Sequence, residues 1–236
     1  MGRRPHAFRL GGPVALKGQN HRMAPTLSEL AAPHRTALLF FEMQRGVVGD
    51  LATSAELRDA VDRSGVVARL AGLARAARGA QVTVIHCTAQ MRADRVGTSI
   101  NSPVVAAMAK VRTHILAGTE AVDPLSELGP DPRDLVVSRT SGLAAFSASR
   151  LDTSLRALRC ETVVLAGLTL SLGILGSAIE AIDLGYNVVI PRDGVVDLDD
   201  DYGEMVWRRT ISLIATRTSV KELVDFWAPG SPDDAP

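Results

Sequence analysis

Residues 162–193 read TVVLAGLTLSLGILGSAIEAIDLGYNVVIPRD. The opening TVVLAG is a continuous apolar run of the kind that parallel strands, covered on both faces, display. SLGILGSAIEAIDLG has helical length and pattern, and NVVIPRD is a second apolar strand after the Gly185–Tyr186 stop. A strand, a helix and a second strand in succession form a βαβ unit, whose crossover is right-handed.

Working outward, the same alternation repeats. TALLFF (residues 36–41) reads as strand one, QVTVIHC (81–87) as strand two and DLVV (134–137) as strand three. Between the first two lies a helical segment, roughly 54–78, with Leu57, Val61, Val66, Val67, Leu70 and Leu73 on one face and Gly79 as its stop. A helix near 104–111 occupies the excursion before strand three, and SRLDTSLRALR (149–159) leads into TVVLAG. YGEMVWRRTISLIA precedes a short last strand near TSVKEL. The pattern predicts an α/β fold of three layers, a doubly wound, mostly parallel sheet with helices on both faces. Residues 1–33 are expected to form a loosely ordered N-terminal extension, 34–228 the domain, and 229–236 a disordered tail.

Composition narrows the function. A chain of 236 residues with 46% hydrophobic content builds one substantial core. Lys plus Arg equals Asp plus Glu at 26 each, so no net field draws the protein to nucleic acid. The two cysteines, Cys87 and Cys160, make neither a disulfide framework nor a zinc site, which fits a reducing cytoplasm. The apolar runs are broken by Gly, Ser, Glu and Asp before the roughly 18 residues that a membrane helix needs. The N-terminal segment is basic without a continuous apolar stretch, so it does not read as a signal peptide.

In such a sheet, ligands collect beyond the carboxyl ends of the strands. Glu42, the Thr88-Ala89-Gln90 segment, Ser138-Arg139 and the turn from Gly167 to Gly173 are therefore expected to converge. At these residues the chain resembles the isochorismatase-like hydrolases, a superfamily that includes nicotinamidases and other cysteine amidases. The resemblance rests on LLFFEMQRGVV, on VVSRTSGLAAFSASRLDTSLRAL and, most specifically, on AGLTLSLGILGSAIEAIDLGYNVVIPRD.

In the amidases of that family an acid, a lysine and a cysteine act together, the thiolate attacking a carbonyl. The resemblance puts Glu42 at the acid position and Gly173 at the cysteine position. The basic position falls on Arg139, or on Thr140 in an ungapped register counted back from Phe146. Cysteine to glycine removes the nucleophile, but isochorismatases of the family also carry glycine there and share a TAQ like Thr88-Ala89-Gln90. Vinyl-ether cleavage needs a proton at the enol carbon and a water, so a carboxyl group can serve without covalent catalysis.

The resemblance thus implies a hydrolase for a small anionic metabolite. Glu42, Arg139 and Gly173 form its catalytic set. Gln90, Arg92, Arg95, Phe146, Leu168 and Thr169 line its substrate site, and Leu168–Thr169 is a cis peptide. Arg92 and Arg95 read equally as solvated loop charges. His86 shares a strand face with Val82 and Val84 and reads as a core histidine rather than a metal ligand. No metal and no cofactor are expected, and neither a membrane nor a nucleic-acid partner. The expected assembly is a homo-oligomer, dimer or tetramer. Two alternatives stay open: a catalytically silent member that binds a small molecule or serves as a subunit, and an amidase using Cys87.

Overall fold

The apolar runs of the sequence become strands of a seven-stranded parallel sheet. The computed structural model describes residues 26–111 and 114–228. The strands are β1 Thr36–Phe41, β2 Thr83–Ala89, β3 Leu135–Arg139, β4 Thr162–Leu168, β5 Asn187–Pro191, β6 Val195–Val196 and β7 Thr216–Thr218. Their order is β3-β2-β1-β4-β5-β7, with β6 beside β4. The chain winds outward from β1 through β2 to β3, then returns to β4 on the other side of β1. The β1/β4 junction is therefore the topological switch point, where a crevice opens beyond the strand ends.

Alternation along β1 and β4 builds two cores. Leu38, Phe40, Val164 and Ala166 pack with the helices Ala55–Ser64, Val66–Gly79 and Val220–Phe226. Ala37, Leu39, Phe41, Val163 and Leu165 point to the opposite face, against Leu151–Ala157 and Leu175–Asp183. Side chains of one strand alternate between faces, so strands covered on both sides are apolar at every position.

Several expected boundaries shift. β2 and β3 each run two residues further than predicted, to Ala89 and Arg139, and a Thr88 Oγ1–Ser138 Oγ hydrogen bond of 2.8 Å ties these ends together. The single helix expected over 54–78 is two helices, broken at Gly65, whose φ of 62° is the left-handed conformation glycine tolerates best. The last predicted strand ends at Thr218 because Ser219 and Glu222 form a capping box that starts a helix. Part of the segment expected to be loosely ordered is structured: Thr26 caps a turn of helix at Leu27–Leu30, and Trp227 Nε1 donates to Ala31 O at 3.0 Å; residues 1–25 lie outside the described residues. The tail expected over 229–236 lies outside the described residues.

His86 is buried in β2 as expected. Its ring lies 5.6 Å from that of Phe40, and Nε2 meets Asp134 Oδ2 at 3.1 Å, where Arg78 also binds at 2.6 Å.

Candidate active site

Glu42 follows β1 with a positive φ of 55°, its N–H donating to Cys87 O at 2.9 Å. This bend turns the side chain across the strand ends towards β3. There Arg139 Nη2 donates to Glu42 Oε1, while Arg139 Nε donates to Gly142 O at 3.2 Å. The guanidinium also lies over the Phe41 ring, 4.8 Å from its centroid. Arg139 is 4% exposed and Glu42 15% by side chain, and Arg139 Nη1 is buried without a hydrogen-bond partner among the described residues. Arg139, not Thr140, is thus the basic group facing the carboxylate.

These groups floor a cavity of about 460 Å³ at the switch point, a volume in the range of small-molecule sites. Phe41, Leu168, Thr169, Leu172 and Gly173 form one wall. Thr53, Ser54, Glu56 and Leu57 form another, and Val104, Met108, Val111, His114 and Leu143 close it. The Leu168–Thr169 peptide is cis. After it the chain makes a single π-helical turn, Leu170–Ile174, that carries Gly173 against β1.

A β-carbon placed on Gly173 would overlap Phe41 Cε1 and lie 3.0 Å from Cδ1. The Phe41 ring, fully buried, therefore occupies the space that a side chain at position 173 would need.

Of the expected site residues, Glu42, Arg139, Gly173, Leu168 and Thr169 come together in the cavity. Gln90, Arg92, Arg95 and Phe146 are not among its lining residues. Gln90 lines a narrow neighbouring crevice that also touches Arg139. Arg92 turns away to pair with Asp94 at 2.7 Å, and Arg95 donates to Val111 O at 2.9 Å. Phe146 stacks on Tyr186 at 5.9 Å, held by Glu180 Oε2 accepting its backbone N–H at 3.1 Å.

Two contributions went unread in the sequence. Gln44 is wholly buried and clamps the end of β2: its Oε1 accepts from Ala89 N at 2.7 Å, and its Nε2 donates to Ala89 O and Ala121 O, each at 3.0 Å. His114 is 7% exposed, with Nδ1 3.0 Å from Thr53 Oγ1 and Nε2 buried without a partner among the described residues. Burial holds the His114 imidazole below the usual histidine value; the Glu42 charge opposes this and the Arg95 charge adds to it. Burial likewise depresses His86, opposed by Asp134.

The unfolded chain therefore takes up these two protons first as pH falls. Each imidazole contributes stability that is complete above about 6.5 and is lost on acidification below it. Resistance to urea should accordingly fall as the pH drops below about 6.5, by up to about 1.4 kcal/mol per pH unit per group. A midpoint constant across that range would contradict two imidazoles buried in the neutral form.

Cys87 is fully enclosed beside Leu39 and Leu165 in the core, and burial pushes its thiol up to about 12, a value the Arg139 charge only moderates. A neutral, enclosed thiol is a poor nucleophile. Among the described residues, no group of three or more His, Cys, Asp or Glu is placed to hold a metal ion. Nor is any helix among them long and apolar enough to cross a membrane.

Fold and site together define a doubly wound α/β protein with a carboxylate–guanidinium pair in an apolar cavity at its switch point. The chain belongs to the isochorismatase domain family, whose pattern matches residues 36–222. An uncharacterized isochorismatase family protein, YwoC, from Bacillus subtilis (strain 168) is 27% identical over 99 residues, 42% of this chain. That match spans about half (52%) of the relative's length.

Among solved structures, an isochorismatase family protein from Desulfovibrio vulgaris superposes with TM-score 0.69 at 23% identity, covering 81% of this chain and 97% of that one. A cysteine hydrolase from Pseudomonas syringae gives 0.68 at 21% identity, over 81% and 92%. N-carbamoylsarcosine amidase from Thermoplasma acidophilum gives 0.60 at 21%, over 79% and 96%. At these identities the likeness is one of fold.

Proposed function

We propose that this protein is a hydrolase of small molecules that works by carboxylate acid/base chemistry, with Glu42 as the proton-transferring group and no thiol nucleophile. The observation that carries the reading is the Phe41 ring filling the side-chain space of Gly173 beside the Glu42–Arg139 pair. Arg139 engages Oε1 and fixes the carboxyl group, leaving Oε2 to exchange a proton with a ligand or a water. In the cleavage of a vinyl ether or a C–N bond, the Glu42 carboxylate, paired with Arg139, would take a proton from the water that adds and hand one to the substrate at the broken bond. The net change is addition of one water across the broken bond.

A second reading, a silent member that only binds, is favoured by the same ion pair, because it engages a carboxylate oxygen without any substrate. A thermal-shift screen of small molecules separates the two, since a ligand of the folded state raises its apparent stability. Hits are then followed by mass spectrometry. Products that together carry one added water support the hydrolase; hits that bind and persist unchanged support the binder.

The reading also places the protein in the cytoplasm as a homo-oligomer, dimer or tetramer. Ile179 and Ile182 on the helix Leu175–Asp183, with Leu213 on the adjoining turn, are exposed apolar surface available for that contact. Light scattering should give a multiple of the monomer mass, and the monomer mass across micromolar concentrations would refute the assembly.

A further inference from the structure

We propose that the cavity takes an uncharged, mainly hydrocarbon molecule bearing a hydrogen-bond-accepting oxygen that sits beside Arg139 and His114. The proposal rests on reading this cavity as the substrate site, and it departs from the anionic substrate that the family resemblance implies.

Charge is the first argument. An anion would need a free cation: Arg92 is paired with Asp94, Arg139 is neutralised by Glu42, and Arg95, though its charge reaches His114, donates to Val111 O and is not among the lining residues. Glu56, exposed on the lining, adds a carboxylate that repels an anion. Burying an uncompensated carboxylate there is costly, whereas a neutral oxygen is not penalised in this way.

Polar satisfaction is the second. Arg139 Nη1 and His114 Nε2 are buried polar atoms without hydrogen-bond partners among the described residues, on two side chains more than nine-tenths buried, and both residues line the same cavity. Buried polar groups are rarely left unpaired, so two such atoms at one cavity point to a missing partner. Arg139 can only donate. In the tautomer that accepts the Thr53 hydroxyl proton at Nδ1, His114 also donates, so both unpaired atoms call for an accepting oxygen, as in a carbonyl or an ether, rather than for a donor.

The lining also favours a hydrocarbon body. Val104, Val111, Leu172 and Leu198 are four large apolar side chains that remain exposed and all line this cavity. A hydrocarbon body would cover them.

The test uses the full chain and a matched pair of probes, 4-phenylbutanamide and 4-phenylbutanoate, with dissociation constants measured by calorimetry near neutral pH. The amide should bind at least about tenfold more tightly than the carboxylate. Leu172→Lys, a change at an exposed position, should bring a cation to the cavity and reverse or abolish that preference. Three results would overturn the proposal: equal or tighter binding of the carboxylate by the unaltered protein, no binding of either probe at millimolar concentration, or an unchanged preference in Leu172→Lys. Carboxylate preference in a protein whose turnover depends on Glu42 would sink the substrate class alone. Amide preference in a protein without turnover would sink the hydrolase reading alone.

Discussion

Glu42→Gln is expected to lower turnover by roughly 10²-fold or more, the usual scale of a lost acid/base group. The amide keeps the length of the side chain, and its oxygen can still accept from Arg139 Nη2, so the pair with Arg139 is weakened rather than removed. Ligand affinity should change by no more than a lost charge-assisted hydrogen bond, about 1.5 to 3 kcal/mol. The contrast between rate and affinity decides the role. A drop in rate with affinity nearly intact marks proton transfer, and turnover equal to that of the unaltered protein would remove Glu42 from the chemistry.

Gly173→Cys should destabilise the protein by about 1–3 kcal/mol, the range for overpacking a well-filled interior. The new β-carbon meets the Phe41 ring, which cannot retreat freely because it is buried in the core that includes Leu170 and Ile174 and lies under the Arg139 guanidinium. For a domain of this size that cost corresponds to a melting temperature lower by about 2–4 °C per kcal/mol. Phe41→Leu in the same protein should recover part of the loss, since residues in contact are not additive. If Gly173→Cys melts at the original temperature, the space is not filled as described and a thiol there would be sterically allowed.

The sheet was legible because its central strands are unambiguous. TALLFF and TVVLAG are apolar at nearly every position, and only a strand covered on both faces reads that way. The helix break at Gly65 was hidden because the apolar spacing continues through it from Val61 to Val66. The final helix carried a readable sign, Ser219 followed three residues later by Glu222, but TSV drew the reading towards a strand.

At the site, Glu42, Arg139, Leu168, Thr169 and Gly173 were accessible because strand ends and the turn after β4 converge by topology alone. His114, Thr53 and Met108 were not. They come from the excursions between strands, and their approach to the cavity depends on long-range packing that no local period encodes. Phe146 was misplaced for a related reason: its neighbours Glu180 and Tyr186 turn it into the opposite core.

The central claim is that hydrolysis here needs no thiol, and its most direct test is the turnover of a protein carrying Cys87→Ala and Cys160→Ala on a substrate found by the ligand screen. Both cysteines lie in the core, so the cysteine-free protein should first be shown to fold by its circular dichroism and melting profile. Turnover close to that of the unaltered protein is the predicted result. Loss of turnover in this folded protein, reproduced by Cys87→Ala alone, would contradict the account and return the chemistry to a cysteine.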